Sequence, residues 1–397
     1  MEHRTLAGLN PIQETSEMHR FFAVIALAIT TSILLAPGAL AAETALTEIE
    51  VLDPNFAVVE PGEDLQWFDA ITIGVEGQGW DEMAAPYHRM PAKAEGKVPP
   101  AVWHLSSHSA GMAVRFLSDS SEISARWSVT NKNLAMVHMP ATGVSGLDLY
   151  AKDADRWRWV AQGRPSQQNN NRAKLVGKTP GGMIEYMIFL PLYNGTTKLE
   201  IGVKAGSTLA KGPERADPRP IVFYGTSITH GGCASRPGMA YPAILGQRLD
   251  RETINLGFSG NGKMEPEMGT LIAEIDASVF VLDCLPNMDA AMVTERVAPV
   301  VHILRKAHPD TPIVLVENII YQNSWFYGGG SHEPKNKALK DVYAQLLKDG
   351  VTGLSYVPCD DLLGDDGLGT VDGTHPTDLG FFRQADAMEP TLREALK

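Results

Sequence analysis

The stretch Lys211-Gly212-Pro213-Glu214-Arg215-Ala216-Asp217-Pro218 separates two segments whose apolar residues recur with different periods, and no single sheet or bundle can serve both. Ahead of it, from about residue 50 to 210, apolar and polar residues alternate in short runs bounded by turn signals. Met112–Leu117 and Ile123–Val129 are two such runs, and Met187–Leu190 turns at Asn194-Gly195 into Lys198–Val203. Alternate side chains of a strand face opposite sides, so several short antiparallel strands of this kind predict an all-β sandwich. Gln167–Asn171 is a polar loop within it.

Behind the connector, β-rich runs alternate with helical stretches. The runs are Ile221–Tyr224, Thr253–Leu256, Val279–Leu282, Ile313–Val316 and Leu354–Val357, while Val293–Lys306 and Asn336–Leu347 carry apolar residues at helical intervals. This alternation predicts a parallel sheet covered by helices on both faces. Right-handed crossovers bring the C-terminal ends of parallel strands to one edge, and Ser227, Gly257 and Asn287 each follow one of the first three runs by a few residues. Three distant segments therefore converge. The expected organisation is a leader over 1–42, a β-sandwich domain over 45–212 and an α/β domain over 218–397.

A chain of 397 residues exceeds one typical domain, in keeping with that division. The formal charge of -13 provides no basic field, which excludes nucleic acid and favours uncharged partners. Met18-His19-Arg20 precedes the apolar run Phe21–Leu35, Pro37-Gly38 and the small residues Ala39-Leu40-Ala41-Ala42, the layout of a secretory signal peptide. The run is shorter than the roughly 20 apolar residues of a membrane-spanning helix. A periplasmic or secreted protein without stable membrane insertion after cleavage is expected, with Met18 an alternative start to Met1. Cys233, Cys284 and Cys359 are too few and too scattered for a disulfide-built fold or a zinc site. Cys233 and Cys284 follow the first and third strands, neighbours in a common doubly wound order, which predicts a disulfide between them. His104 and His108 lie in a strand-like region, where that interval does not suit chelation of one ion, so no metal is expected.

Ser227 stands at the expected end of the first parallel strand, and Asp372-Gly373-Thr374-His375 supplies an acid and a base three residues apart. A hydroxyl is a poor nucleophile at neutral pH until an imidazole takes its proton and a carboxylate fixes the imidazole tautomer. The plain alternative for Ser227 is a helix N-cap, and for His375 a loop histidine before Pro376. Asp378 is a competing carboxylate, read here as a first-turn acid of a final helix. Gly257 and Asn287 have turn readings of their own. The glycine-rich loop lacks the lysine of a phosphate-binding loop.

Gly225-Thr226-Ser227-Ile228-Thr229, Asn255–Gly262, Leu282–Met288 and the Asp372–His375 block together resemble the SGNH, or GDSL-like, hydrolases. Gly146-Leu147-Asp148-Leu149-Tyr150 is similar to the G-x-D-L-Y signature of an N-terminal domain found in one bacterial branch. The resemblance implies a flavodoxin-like three-layer catalytic domain, a nucleophilic Ser227 with His375 and Asp372, and an oxyanion hole of Ser227, Gly257 and Asn287. It also implies a serine esterase needing no cofactor, acting on acyl, in particular acetyl, esters of carbohydrate. Glu317, Trp325 and Tyr327, after the fourth strand, are candidates for the substrate pocket. Alternatives are a lipid or short-acyl esterase and a non-catalytic carbohydrate-binding protein. Thr226 stands where the family usually has Asp, and Leu285 where it usually has Gly, so Pro286 directs how the Asn287 loop turns.

Overall fold

The computed structural model describes residues 50–397, and the expected leader and cleavage site lie outside the described residues. The first segment forms β1 (Val58–Val59), β2 (Leu65–Asp69), β3 (Val75–Glu76), β4 (Ala113–Ser118), β5 (Ile123–Val129), β6 (Leu147–Asp153), β7 (Arg156–Gly163), β8 (Asn171–Val176), β9 (Ile184–Phe189), β10 (Thr196–Lys204) and β11 (Leu209–Lys211). They make two antiparallel sheets, ordered β1-β2-β10-β5-β8 and β11-β4-β9-β6-β7, with β3 also on β4. Period two decides the core: Ile123, Ala125, Trp127 and Val129 of β5 meet Val114, Phe116, Leu147, Leu149 and Ile188 of the facing sheet.

The expected turn from β9 straight into a partner strand is not made. β9 lies between β4 and β6, whereas β10 lies between β2 and β5 of the other sheet. Asn194 builds this corner. Its Oδ1 accepts from Asn131 N and Thr130 Oγ1, while its Nδ2 donates to Asn131 O and Ser145 Oγ. A side chain so enclosed holds a crossing between sheets, which local alternation cannot distinguish from a hairpin.

Three short helices interrupt the β domain: α1 (Ala70–Ile73), α2 (Pro100–Ser106) and α3 (Ala141–Val144). The strand-like reading around His104 is corrected here, because His104 lies in α2, which starts at Pro100 where a missing N–H costs nothing. The His104 and His108 rings are 6.2 Å apart. Among the described residues, no group of three His, Cys, Asp or Glu side chains is arranged to hold a metal ion.

The second segment forms β12 (Ile221–Gly225), β13 (Thr253–Gly257), β14 (Val279–Asp283), β15 (Ile313–Val316) and β16 (Leu354–Val357), all parallel, in the order β13-β12-β14-β15-β16. Between and after them run α4 (Ser227–His230), α5 (Tyr241–Leu249), α6 (Pro266–Ile272), α7 (Ala290–Ala307), α8 (His332–Lys348) and α9 (Asp378–Ala395). Val222, Tyr224, Leu256 and Phe280 pack under α6, α7 and α8, and Phe223, Val281, Val314 and Val316 pack under α5 and α9. This is a three-layer α/β domain preceded by a β-sandwich. The strand order reverses at β12, which opens a crevice at the C-terminal edge.

Both parts belong to one compact unit. Met90, Ala94, Val98 and Val102, from the connection between β3 and β4, are buried with Ile254, Leu256 and Phe258 of the α/β domain. The G-x-D-L-Y residues make a second tie. Asp148, wholly buried, accepts from Arg236 Nη1 at 2.7 Å, Gly238 N at 2.9 Å and Trp159 Nε1 at 2.9 Å. Tyr150 packs against Gly238 and also receives Arg236. Gly146 has no room for a side chain, since a Cβ there would lie 2.4 Å from Thr142 O.

Candidate active site

α4 begins at the end of β12, and Thr226 rather than Ser227 caps it, its Oγ1 accepting from Ile228 N. The Thr standing where the family usually has Asp thus does the capping, and the Ser227 hydroxyl is left for another partner. That partner is His375 Nε2, at 2.9 Å. His375 Nδ1 lies 2.7 Å from Asp372 Oδ2, and Asp372 Oδ1 accepts from the backbone N–H groups of His375 and Thr374. Burial pushes the Asp372 carboxyl up, but these hydrogen bonds outweigh it and hold the group below the usual carboxylate value. Asp378 is used elsewhere: it sits in the first turn of α9 and accepts from Ser235 N and Oγ.

Beneath Ser227 the backbones approach closely. A Cβ on Gly257 would lie 2.2 Å from His230 N, so only glycine lets α4 lie on the end of β13. The Gly257 N–H donates to Asn255 Oδ1 at 2.9 Å, and Asn255 Nδ2 donates to Thr229 O at 2.6 Å. Gly257 is therefore a packing glycine whose N–H is already committed, which corrects its expected place in an oxyanion hole. Further along the same loop, Gly260 is exposed, has φ of 67°, and its N–H has no acceptor among the described residues.

Asn287 closes a short 3-10 turn, Leu285–Asn287, after β14. Its Nδ2 donates to Asn261 O and, at 3.4 Å, to Phe258 O, which sets the amide beside Gly260. Despite Pro286, the side chain faces the neighbouring loop.

Glu317 does not line a pocket, correcting that expectation. It is fully buried, and its carboxylate takes Tyr356 OH at 2.6 Å, Cys359 N at 2.9 Å and Lys340 Nζ at 3.0 Å. Trp325 and Tyr327 are 80% and 75% exposed, with Phe326 edge-on between them. Their loop abuts the His375 loop through Gln322 N to Gly373 O at 3.0 Å.

The cysteines are all free thiols, so the expected Cys233–Cys284 bridge is not formed. Cys284 is wholly buried in the core on the α6–α8 face, with its Sγ toward Tyr224 O. Cys233 follows α4, beside Ala234, which packs on the opposite face.

The sequence reading missed several residues here: Tyr193, His138 and Arg89 lie far from every motif, and Asp283 stands inside the third block without a role assigned to it. Tyr193, from the β9–β10 crossing, donates to Ser227 O at 3.1 Å and stacks on His230 at 4.1 Å. The His138 ring, from the β domain, is 5.9 Å from that of His375. Arg89 is buried, its guanidinium donating to the carbonyls of Leu105, His108, Asn255 and Gly257. Burial pushes Arg89 down to about 9 and Asp283, under α4, up to about 7. A single sequence carries no local signal for Tyr193, His138 or Arg89.

A parallel α/β sheet with a Ser-His-Asp array at its C-terminal edge defines a serine hydrolase. Residues 218–393 match the GDSL-like Lipase/Acylhydrolase family, and residues 65–209 match GxDLY, the N-terminus of Esterase_SGNH_hydro-type. A GDSL-like lipase from Bacteroides ovatus ATCC 8483 is 36% identical with TM-score 0.79, the match covering 84% of this chain and 98% of that one. The fold is shared with a salicylyl-acyltransferase from a tetracycline biosynthetic pathway, 18% identical with TM-score 0.66, over 85% and 96% of the two chains. It is shared also with a family two carbohydrate esterase from Cellvibrio japonicus, 16% identical with TM-score 0.51, over 72% and 89%. No curated protein matches this chain. The chain belongs to the GDSL-like lipase/acylhydrolase family and is a serine esterase.

Proposed function

We propose that this esterase is exported and removes acyl groups, acetyl in particular, from carbohydrate through an acyl-enzyme on Ser227. The observation that carries the chemistry is the 2.9 Å contact of Ser227 Oγ with a His375 whose other nitrogen is held by Asp372. Ser227 Oγ attacks the ester carbonyl while its proton passes to His375 Nε2; the alkoxide leaving group then takes that proton as the carbon–oxygen bond breaks. Water, activated by the same imidazole, hydrolyses the acyl-enzyme. The developing oxyanion is received by the N–H groups of Ser227 and Gly260 and by the Asn287 amide, whose 3.4 Å bond to Phe258 O is weak enough to yield to an anion. The apolar run Phe21–Leu35 supports export. The carbohydrate reading is supported by the fold shared with a carbohydrate esterase and by the exposed Trp325 and Tyr327 beside the His375 loop, which suit stacking on a sugar ring.

The test has two arms. Ser227→Ala and His375→Ala should each lower turnover of p-nitrophenyl acetate by roughly a thousandfold or more with unchanged circular dichroism; a folded Ser227→Ala that retains turnover removes the proposed nucleophile. Trp325→Ala with Tyr327→Ala should raise KM for acetylated oligosaccharide and leave p-nitrophenyl acetate kinetics unchanged. Preference for long-chain acyl esters over acetylated glycan would favour a lipid esterase.

A further inference from the structure

Lys335 sits near the end of the first turn of α8 and is only 9% exposed, yet it forms no ion pair among the described residues. Its three N–H groups go to Leu285 O at 3.2 Å, Pro286 O at 3.3 Å and Tyr321 OH at 3.5 Å. An ammonium so placed is unfavourable on three counts: it is taken from water, it lacks an anionic partner, and it stands at the positive end of a helix. Burial pushes it down, with Asp289 pulling it back, but the Asp289 carboxylate is itself engaged in capping α7 through Met292 N. The nearby His332 ring packs edge-on to Tyr321.

The carbonyls that Lys335 collects belong to the residues that set this chain apart from the usual family pattern. Leu285 O also accepts Met288 N, and Pro286 C=O forms the peptide that leads into Asn287. The Leu285 side chain is wholly buried in the core below. The turn is thus pinned from one side by an apolar plug and from the other by a cation.

We propose that Lys335 is a positioning residue for the oxyanion hole: it fixes the Leu285–Asn287 turn so that the Asn287 amide faces the reacting carbonyl, and it sets a positive charge behind that amide as negative charge develops. The inference rests on Asn287 being an oxyanion donor. Hydrogen bonds that strengthen only in the transition state act on kcat and leave KM nearly unchanged.

The experiment is a double-mutant cycle of Lys335→Met and Asn287→Ala, read as kcat and KM on p-nitrophenyl acetate, with thermal melts to establish folding. Asn287→Ala should cut kcat by roughly a hundredfold or more, and Lys335→Met by roughly tenfold, each with KM nearly constant. In the Asn287→Ala background, Lys335→Met should change kcat by less than about twofold. Lys335→Arg, which keeps the charge and the donors, should recover most of the loss. If Lys335→Met does not fold, Lys335→Gln takes its place in the cycle with the same expectations. An inert Asn287→Ala would remove the oxyanion assignment and the inference with it. A large Asn287→Ala loss beside an inert, a KM-only or a fully multiplicative Lys335 effect would remove the Lys335 role alone.

Discussion

Replacing Arg89 by Lys probes how the β domain supports the catalytic edge. The guanidinium donates at 2.9 Å to His108 O, 2.7 Å to Leu105 O, 3.0 Å to Asn255 O and 2.7 Å to Gly257 O. The first two carbonyls belong to the segment between β3 and β4, and the last two to the end of β13. A lysine carries all its N–H groups on one nitrogen and cannot span both sides, so two buried carbonyls lose their donor. At roughly 1–3 kcal/mol for each unsatisfied group, the loss comes to about 2–6 kcal/mol, a large part of a typical domain's stability. Urea unfolding followed by tryptophan fluorescence measures it. Arg158→Lys, at a side chain 62% exposed and paired with Asp153, is the control and should shift stability by less than about 0.5 kcal/mol. Because Asn255 and Gly257 hold α4 under Ser227, kcat should fall with stability. An Arg89→Lys protein as stable as the Arg158→Lys control would refute the reasoning.

Two further outcomes follow from the same geometry. Gly257→Ala puts a Cβ 2.2 Å from His230 N, against the Thr229–His230 backbone, so it should lower the melting temperature sharply and abolish turnover; a normally melting, active variant would contradict the packing role assigned to this glycine. Burial, reinforced by Glu76, pushes the Glu252 carboxyl from its ordinary 4.5 up to about 7. The folded state then binds the proton more tightly than the unfolded one, so this group's contribution to stability declines as pH rises from about 4.5 to about 7 and is flat above. The full change corresponds to roughly 3 kcal/mol. Glu252→Gln keeps an acceptor for Gly77 N, which now lies 2.7 Å from Glu252 Oε1, and should melt higher than the parent at pH 8 but not at pH 4, a difference readable by calorimetry.

The layers of this protein are written in local pattern. Apolar residues at β12, β14 and β15 come as unbroken runs because both faces of these central parallel strands are buried, whereas β5 and β10 alternate because only one face meets the sandwich core. Ser227, His375 and Asp372 were legible for a related reason: acid and base stand in one tight loop, and the nucleophile marks the end of a strand.

What local pattern cannot contain is the identity of a distant partner. Period two made β9 and β10 strands, but the enclosed Asn194 side chain decided that they join different sheets. Two cysteines after adjacent strands looked ready to pair, but both are free thiols, and only Cys284 belongs to the core under α6 to α8. Gly257 and Gly260 are alike as letters; only the third dimension shows that one N–H is bound to Asn255 while the other has no acceptor among the described residues, and that Glu317 has spent its carboxylate on Tyr356, Cys359 and Lys340. Secondary structure and the triad follow from short-range sterics and from residues a few positions apart. Which donor meets which acceptor across hundreds of residues is settled by packing, since a buried polar group must find its partner wherever the fold brings one.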